Sequence, residues 1–212
     1  MVWLKRALEW VYPSKCALCG LLGRPSLCDE CLAEFQPDVS GKRGRIGPLD
    51  WSQSLFEFEG RAAQAVKRLK YARATSLGKP MSEILEKCRV TLPNHDIIVP
   101  VPIHKSRKHM RGFNQAELLC REMPSEKLSL ALMLRVRKTR PQAELNANQR
   151  RTNLLDAFVA SSEVAGKSVL LVDDVVTTGG TGIACASALK KAGAQEVGLL
   201  AFCGESSHFR TE

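Results

Sequence analysis

Two adjacent carboxylates followed by a run of hydroxyls and glycines are the residues of this chain best suited to chemistry. Asp173 and Asp174 come after four apolar residues, Val169 to Val172, and lead into Thr177-Thr178-Gly179-Gly180-Thr181. Carboxylates accept hydrogen bonds from vicinal hydroxyls, as on a sugar. A Thr/Gly turn that opens a helix aims backbone N–H groups and hydroxyls at one anion. A helical pattern does follow, through Ile183, Ala186 and Leu189. No Gly-Lys-Ser/Thr follows that turn to close a Walker-type loop, so the turn is not the other common phosphate cradle. The plainer reading is a helix cap behind a solvated acidic turn, which needs neither the second Asp nor both threonines. Neighbouring strand residues point to opposite sides. Only one Asp can therefore face a sugar easily unless the strand ends before the pair, and the sequence reading places the pair at the strand's end.

A second set of residues has metal-ligand spacing. Of eight cysteines, four form two C-x-x-C pairs, Cys16/Cys19 and Cys28/Cys31. Two thiolates from each of two tight turns suit a tetrahedral zinc ion, and four protein ligands close its shell, which makes the site structural. A disulfide framework would require an oxidising compartment. The start of the chain, with Lys5, Arg6 and Glu9 breaking its apolar run and no small-residue cleavage site, argues against a secretory signal. Cys88, Cys120, Cys185 and Cys203 stand singly and read as small core residues.

The elements that must position these groups alternate between strand and helix. Leu55 to Phe58, Ile97 to Val101, Leu128 to Val136, Val169 to Val172 and Glu196 to Phe202 read as strands. Arg61 to Leu69, Asn114 to Glu122 and the segment after Thr181 read as helices. That order predicts an α/β fold: a parallel sheet flanked by helices, with ligands at the carboxyl ends of its strands. Val2, Trp3, Leu4, Ala7, Leu8 and Val11 have helical spacing, a face for docking on the rest of the protein or for lying on a membrane surface. Gln36 to Pro48 reads as a basic linker, so residues 1–48 (helix, zinc module and linker) divide from a domain over 49–212.

Composition bounds the rest. The 212 residues are 44% hydrophobic and 25% charged, as in a water-soluble globular chain, with no apolar run long enough for a transmembrane segment. The expected location is cytoplasmic, with a peripheral place at the inner membrane face if the first helix touches lipid. Net charge is +9, which favours polyanionic partners without choosing nucleic acid over phosphorylated ligands.

The apolar strand, Asp173-Asp174 and Thr177 to Thr181 resemble the PRPP loop of type I phosphoribosyltransferases. The resemblance implies that Thr177, Thr178, Gly179, Gly180 and Thr181 wrap the 5-phosphate of phosphoribosyl pyrophosphate (PRPP). It also implies that Asp173 and Asp174, the catalytic acidic pair, hold the ribose hydroxyls, and that Mg²⁺ accompanies the pyrophosphate. His104-Lys105-Ser106-Arg107, read as a basic loop after Pro100-Val101-Pro102, sits where that family binds pyrophosphate. Arg111-Gly112-Phe113-Asn114-Gln115, Lys67 to Tyr71, the stretch from Arg135 to Phe158 and the four-cysteine module then make the whole chain similar to the ComF family of competence proteins. That family implies a PRPP-binding protein of DNA uptake, with single-stranded DNA and a helicase-like protein as partners. The alternative is an active transferase that moves phosphoribosyl to a nitrogen base and releases pyrophosphate; a third reading is a nucleotide-regulated scaffold. Arg137, Lys138, Arg140, Arg150 and Arg151 against a single Glu144 resemble the loop that closes over PRPP. They could clamp pyrophosphate, track a nucleic-acid backbone with Arg111 and with Tyr71 or Phe113 as stacking surface, or simply be a solvated loop. Gly180 and Gly182 depart from the pattern, where a side chain is expected in at least one position and where glycine loosens a helix.

Overall fold

The computed structural model describes residues 13–137 and 156–205. The amphipathic segment Val2 to Val11 and the loop arginines Arg140, Arg150 and Arg151 lie outside the described residues.

A five-stranded sheet forms the centre: β1 (Lys42–Arg43), β2 (Trp51–Glu57), β3 (Ile97–Pro100), β6 (Ser168–Val176) and β7 (Glu196–Gly204), in the order β1-β2-β7-β6-β3. β2, β7, β6 and β3 run parallel, and β1 pairs antiparallel with β2 at one edge. The expected parallel α/β sheet is thus present. Strands β6 and β7 are buried almost throughout, which is why Val169 to Val172 and Val197 to Phe202 carry no polar side chain.

The alternation of side chains along β6 divides the core in two. Leu170 and Val172 face α2 (Gly60–Tyr71), α3 (Gly78–Arg89) and α5 (Gln115–Leu119), packing with Leu69, Met81 and Leu119. Val169 and Leu171 face α6 (Gly180–Lys191), packing with Cys185, Ala186 and Leu189. On that second side lies a short antiparallel ribbon of β4 (Met133–Arg135) and β5 (Phe158–Ala160). The strand expected over Leu128 to Val136 therefore splits. Leu128 bridges once to Ile98 at the sheet edge, and the chain then leaves to form β4 in the ribbon.

The cysteine segment packs on the first core. Cys16, Leu18, Leu27, Cys31 and Phe35 share it with Val66 and Leu69 of α2, and α1 (Asp29–Ala33) carries Cys31. Phe35 meets Phe56 of β2 edge-on at 5.2 Å between ring centroids. The segment read as a linker contributes β1, and its Asp38 is buried, accepting a 2.5 Å hydrogen bond from Ser54 Oγ.

Candidate functional site

Strand β6 does not end before the acidic pair. It continues to Val176, so Asp173 and Asp174 lie inside the strand, and both are buried. Alternation then sends them to different layers, as adjacent strand positions require. Asp173 lines a small recess with Val175, Val176, Thr177, Gly179, Gly180, Thr181 and Gly182. Asp174 turns toward α2, where the ammonium of Lys70 lies 2.9 Å from its Oδ2. That oxygen receives the charge of Lys70 but no aligned hydrogen bond among the described residues.

The recess is closed by the turn into α6. Gly179 precedes the helix in the left-handed region at φ 72°, a conformation that favours glycine, and its carbonyl accepts from the Ile183 N–H at 2.8 Å. The first N–H groups of this 12-residue helix face the recess at the positive end of its dipole. Gly182 has a packing reason rather than being a weakness. A Cβ there would stand 2.7 Å from Leu199 Cδ2 and 3.3 Å from Leu49 Cδ1, so a bare glycine lets α6 sit down on the sheet.

The electrostatics follow from burial. Burial first, and the neighbouring charge of Asp174 second, push the Asp173 carboxyl well above the usual carboxylate range. Burial lowers Lys70, but the charges of Asp174 and Asp173 outweigh it and hold the ammonium above its ordinary value. Two arginines feel the same pair. Arg135 of β4, lowered by burial and by Arg107, is drawn the other way by Asp173, and its guanidinium lies 5.2 Å from the Phe158 ring. Arg111, lowered by burial and raised in part by Asp174, donates to Gln115 Oε1 and lies 5.7 Å from the ring of Tyr71.

The basic segment read as a loop is a helix, α4 (Lys105–Arg111), none of whose residues is buried. His104 caps it: Nδ1 accepts from the Ser106 N–H at 3.2 Å, an occupation that explains a histidine there without contact to phosphate. Lys105 is exposed, Arg107 is half-buried with its charge felt at Arg135, and Arg137 is exposed just beyond β4. The structure thus gathers Asp173, Thr177, Gly179, Gly180 and Thr181 in one recess, leaves Thr178 exposed outside it, and sets Arg111 within the field of Asp174, with the charge of Arg107 felt at both Arg111 and Arg135. Lys70 and Arg135 lie in segments that carry the family resemblance, but sequence reasoning gave neither a role. Their signals are faint: Lys70 follows Val66 by one helical turn on the edge of the buried stripe, and Arg135 shares an inward parity with Met133.

The four cysteines converge. Their sulfurs all lie within 4.8 Å of one another, with Cys16–Cys31 and Cys19–Cys28 each at 3.8 Å. Zn–S bonds of about 2.3 Å in a tetrahedron give S···S edges of about 3.8 Å, so the spacing fits such an ion and not a disulfide. Burial pushes the Cys16 thiol up, but backbone N–H groups in the two turns outweigh it and bring it down to about 6. Burial and the surrounding sulfurs push Cys31 up to about 12. A cation among the four would draw off those shared protons.

Comparison with known proteins gives a consistent picture. Residues 94–209 match the model of the phosphoribosyl transferase domain. The chain is 34% identical to the DNA utilization protein YhgH of Salmonella typhi, the match covering 89% of each chain. It is 38% identical to competence protein F of Haemophilus influenzae over 48% of this chain and 47% of that one. With the competence protein ComFC of Bacillus subtilis it shares 26% identity over 77% of this chain and 68% of that one. Among solved structures, a phosphoribosyltransferase from Corynebacterium diphtheriae superposes with a TM-score of 0.42 at 18% identity, covering 69% of this chain and 84% of that one. No helix among the described residues is long and apolar enough to cross a membrane.

Proposed function

Because the chain belongs to the phosphoribosyltransferase domain family, and within it to the ComF-type competence and DNA utilization proteins, we propose that it binds PRPP and single-stranded DNA. The observation that carries the PRPP half is the junction of β6 and α6. There a buried carboxylate, a Thr/Gly turn and a helix N-terminus line one recess. In this reading the turn from Thr177 to Thr181 takes the 5-phosphate through N–H groups and hydroxyls. Asp173 and Asp174 accept from the ribose hydroxyls, one from each side of the sheet. Arg107 and Arg135 face the pyrophosphate, with which Mg²⁺ enters. The four cysteines hold a structural zinc ion that supplies no chemistry to the ligand.

The DNA half is supported by α4 and its neighbour Tyr71. Lys105, Arg107, Lys108, His109 and Arg111 crowd a helix with no buried residue, and Tyr71 is 76% exposed with Arg111 beside its ring. Cations that track a backbone beside an aromatic face are what sequence-tolerant single-strand binding uses.

Calorimetry with PRPP and Mg²⁺, and fluorescence anisotropy with labelled single strands, test the two halves separately. Tyr71→Ala is expected to cost about 1–3 kcal/mol of DNA affinity while leaving PRPP binding intact. Wild-type protein that binds neither ligand would defeat the proposal. Base-dependent pyrophosphate release at roughly one per second or faster, abolished by Asp173→Asn, would establish a transferase in place of a PRPP-binding protein.

A further inference from the structure

Helix α2 touches both the four-cysteine module and the acidic pair. Arg68 Nη1 donates to the carbonyl of Ala17, which lies between Cys16 and Cys19. About two helical turns before Arg68, Arg61 Nε meets Glu34 Oε2 at 3.2 Å, just past the helix that carries Cys31. Two residues beyond Arg68, Lys70 reaches Asp174 at 2.9 Å. Between these polar ties, Ala62, Ala65, Val66 and Leu69 pack against Cys16, Leu18, Leu27 and Phe35. The helix is gripped by the cysteine module along one stripe and delivers a cation to the sheet at its end. None of it belongs to residues 94–209, the part that matches the phosphoribosyl transferase domain.

We propose that Lys70 is a positioning residue of the ribose site, set in place from the four-cysteine module through α2. The side chain of Asp174 is only 3% exposed, and a carboxylate that deep is costly without a cation. Lys70 supplies the charge at one oxygen, and a carboxylate has more acceptor capacity than one ammonium uses, so lone pairs stay available to a hydroxyl. A lysine side chain is long and flexible, so its reach depends on the rotation of the helix beneath it. Arg68 and Arg61 fix that rotation. The inference rests on the reading above that Asp174 faces the ribose.

Calorimetry of PRPP with Mg²⁺ on the full chain tests it, using Lys70→Met, Lys70→Arg, Arg68→Ala and the double variant Arg68→Ala/Lys70→Met. Lys70→Met is expected to weaken PRPP binding by more than about tenfold, because it strands the buried carboxylate. Lys70→Arg restores the charge and should bind within about threefold of wild type. Arg68→Ala should weaken binding in the wild-type background and add nothing to Lys70→Met, the signature of one shared route. Circular dichroism checks that each variant is folded. If Lys70→Met does not fold, the contrast between Lys70→Arg and Arg68→Ala decides. Wild-type protein that fails to bind PRPP defeats the PRPP reading itself. Wild-type binding with Lys70→Met or Arg68→Ala equally tight leaves that reading intact and overturns this inference. An Arg68→Ala effect that persists undiminished in the Lys70→Met background also overturns it.

Discussion

Replacing Asp173 with Asn should stabilise the protein at neutral pH while it damages ligand binding. The native carboxyl is held well above the usual range, first by burial and then by the charge of Asp174. Below the ordinary carboxylate pKa both native and unfolded chains carry the proton, and the group does not oppose folding. Above it the unfolded chain releases the proton freely while the native site resists, so stability falls as pH rises until the native group ionises. The slope is about 1.4 kcal/mol for each pH unit over which only the native state keeps the proton. One such unit is worth about 3–6 °C of melting temperature in a domain of this size. Asn has no proton to lose, and its Oδ1 can still accept the Asp174 N–H, which Asp173 Oδ1 now accepts at 2.8 Å. Melting curves from pH 4.5 to 8 should therefore show the variant gaining on wild type as pH rises, and PRPP binding weakened throughout. A flat difference between the two curves, or a variant less stable at every pH, would refute the assignment of a buried, destabilising carboxyl.

Two other perturbations test the scaffold. Protein purified without chelator should carry one zinc per chain; Cys19→Ser should lose it, and because such sites couple on the order of ten kcal/mol of binding to folding, the cysteine segment should unfold by circular dichroism. Gly198→Ala should be poorly tolerated, since a Cβ there would lie 2.1 Å from Trp51 Cζ2, and that indole is pinned by a 2.8 Å hydrogen bond to Glu196. Overpacking of this kind costs about 1–3 kcal/mol, read as a lower melting temperature with a shifted tryptophan emission.

The sheet was legible because its central strands are buried on both faces. Val169 to Val172 and Val197 to Phe202 are unbroken runs without a polar side chain, and α2 and α6 show helical spacing. Where burial supplies no pattern, the sequence misleads. Helix α4 buries nothing, so its cations read as a loop although His104 caps it and Gly112, at φ 88°, ends it. Helix α3 buries only Gly78, Met81, Ser82 and Leu85, a stripe too mixed to announce itself. The acidic pair and the Thr/Gly turn were readable as chemistry because they are contiguous. Lys70 and Arg135 were not, because a lone cation acquires meaning only when another element brings it to a carboxylate.

The placement of the pair inside β6 gives the site a property that a pair at the strand's end would lack. Asp173 belongs to the layer of α6 and the β4–β5 ribbon, whereas Asp174 belongs to the layer of α2 and the cysteine module. A ligand that engages both carboxylates must join the two layers across the end of the sheet. The charge arrangement supports that division. The ion pair of Asp174 with Lys70 is complete without any ligand, whereas Asp173 resists ionisation until something arrives to receive its lone pairs. The α2 side is then the preorganised half of the site, and the α6 side is the half that changes state on binding. The stabilisation expected on removing a carboxyl is therefore confined to Asp173. Asp174→Asn breaks an existing buried ion pair and should destabilise the ligand-free protein, the opposite of the effect expected at the neighbouring residue.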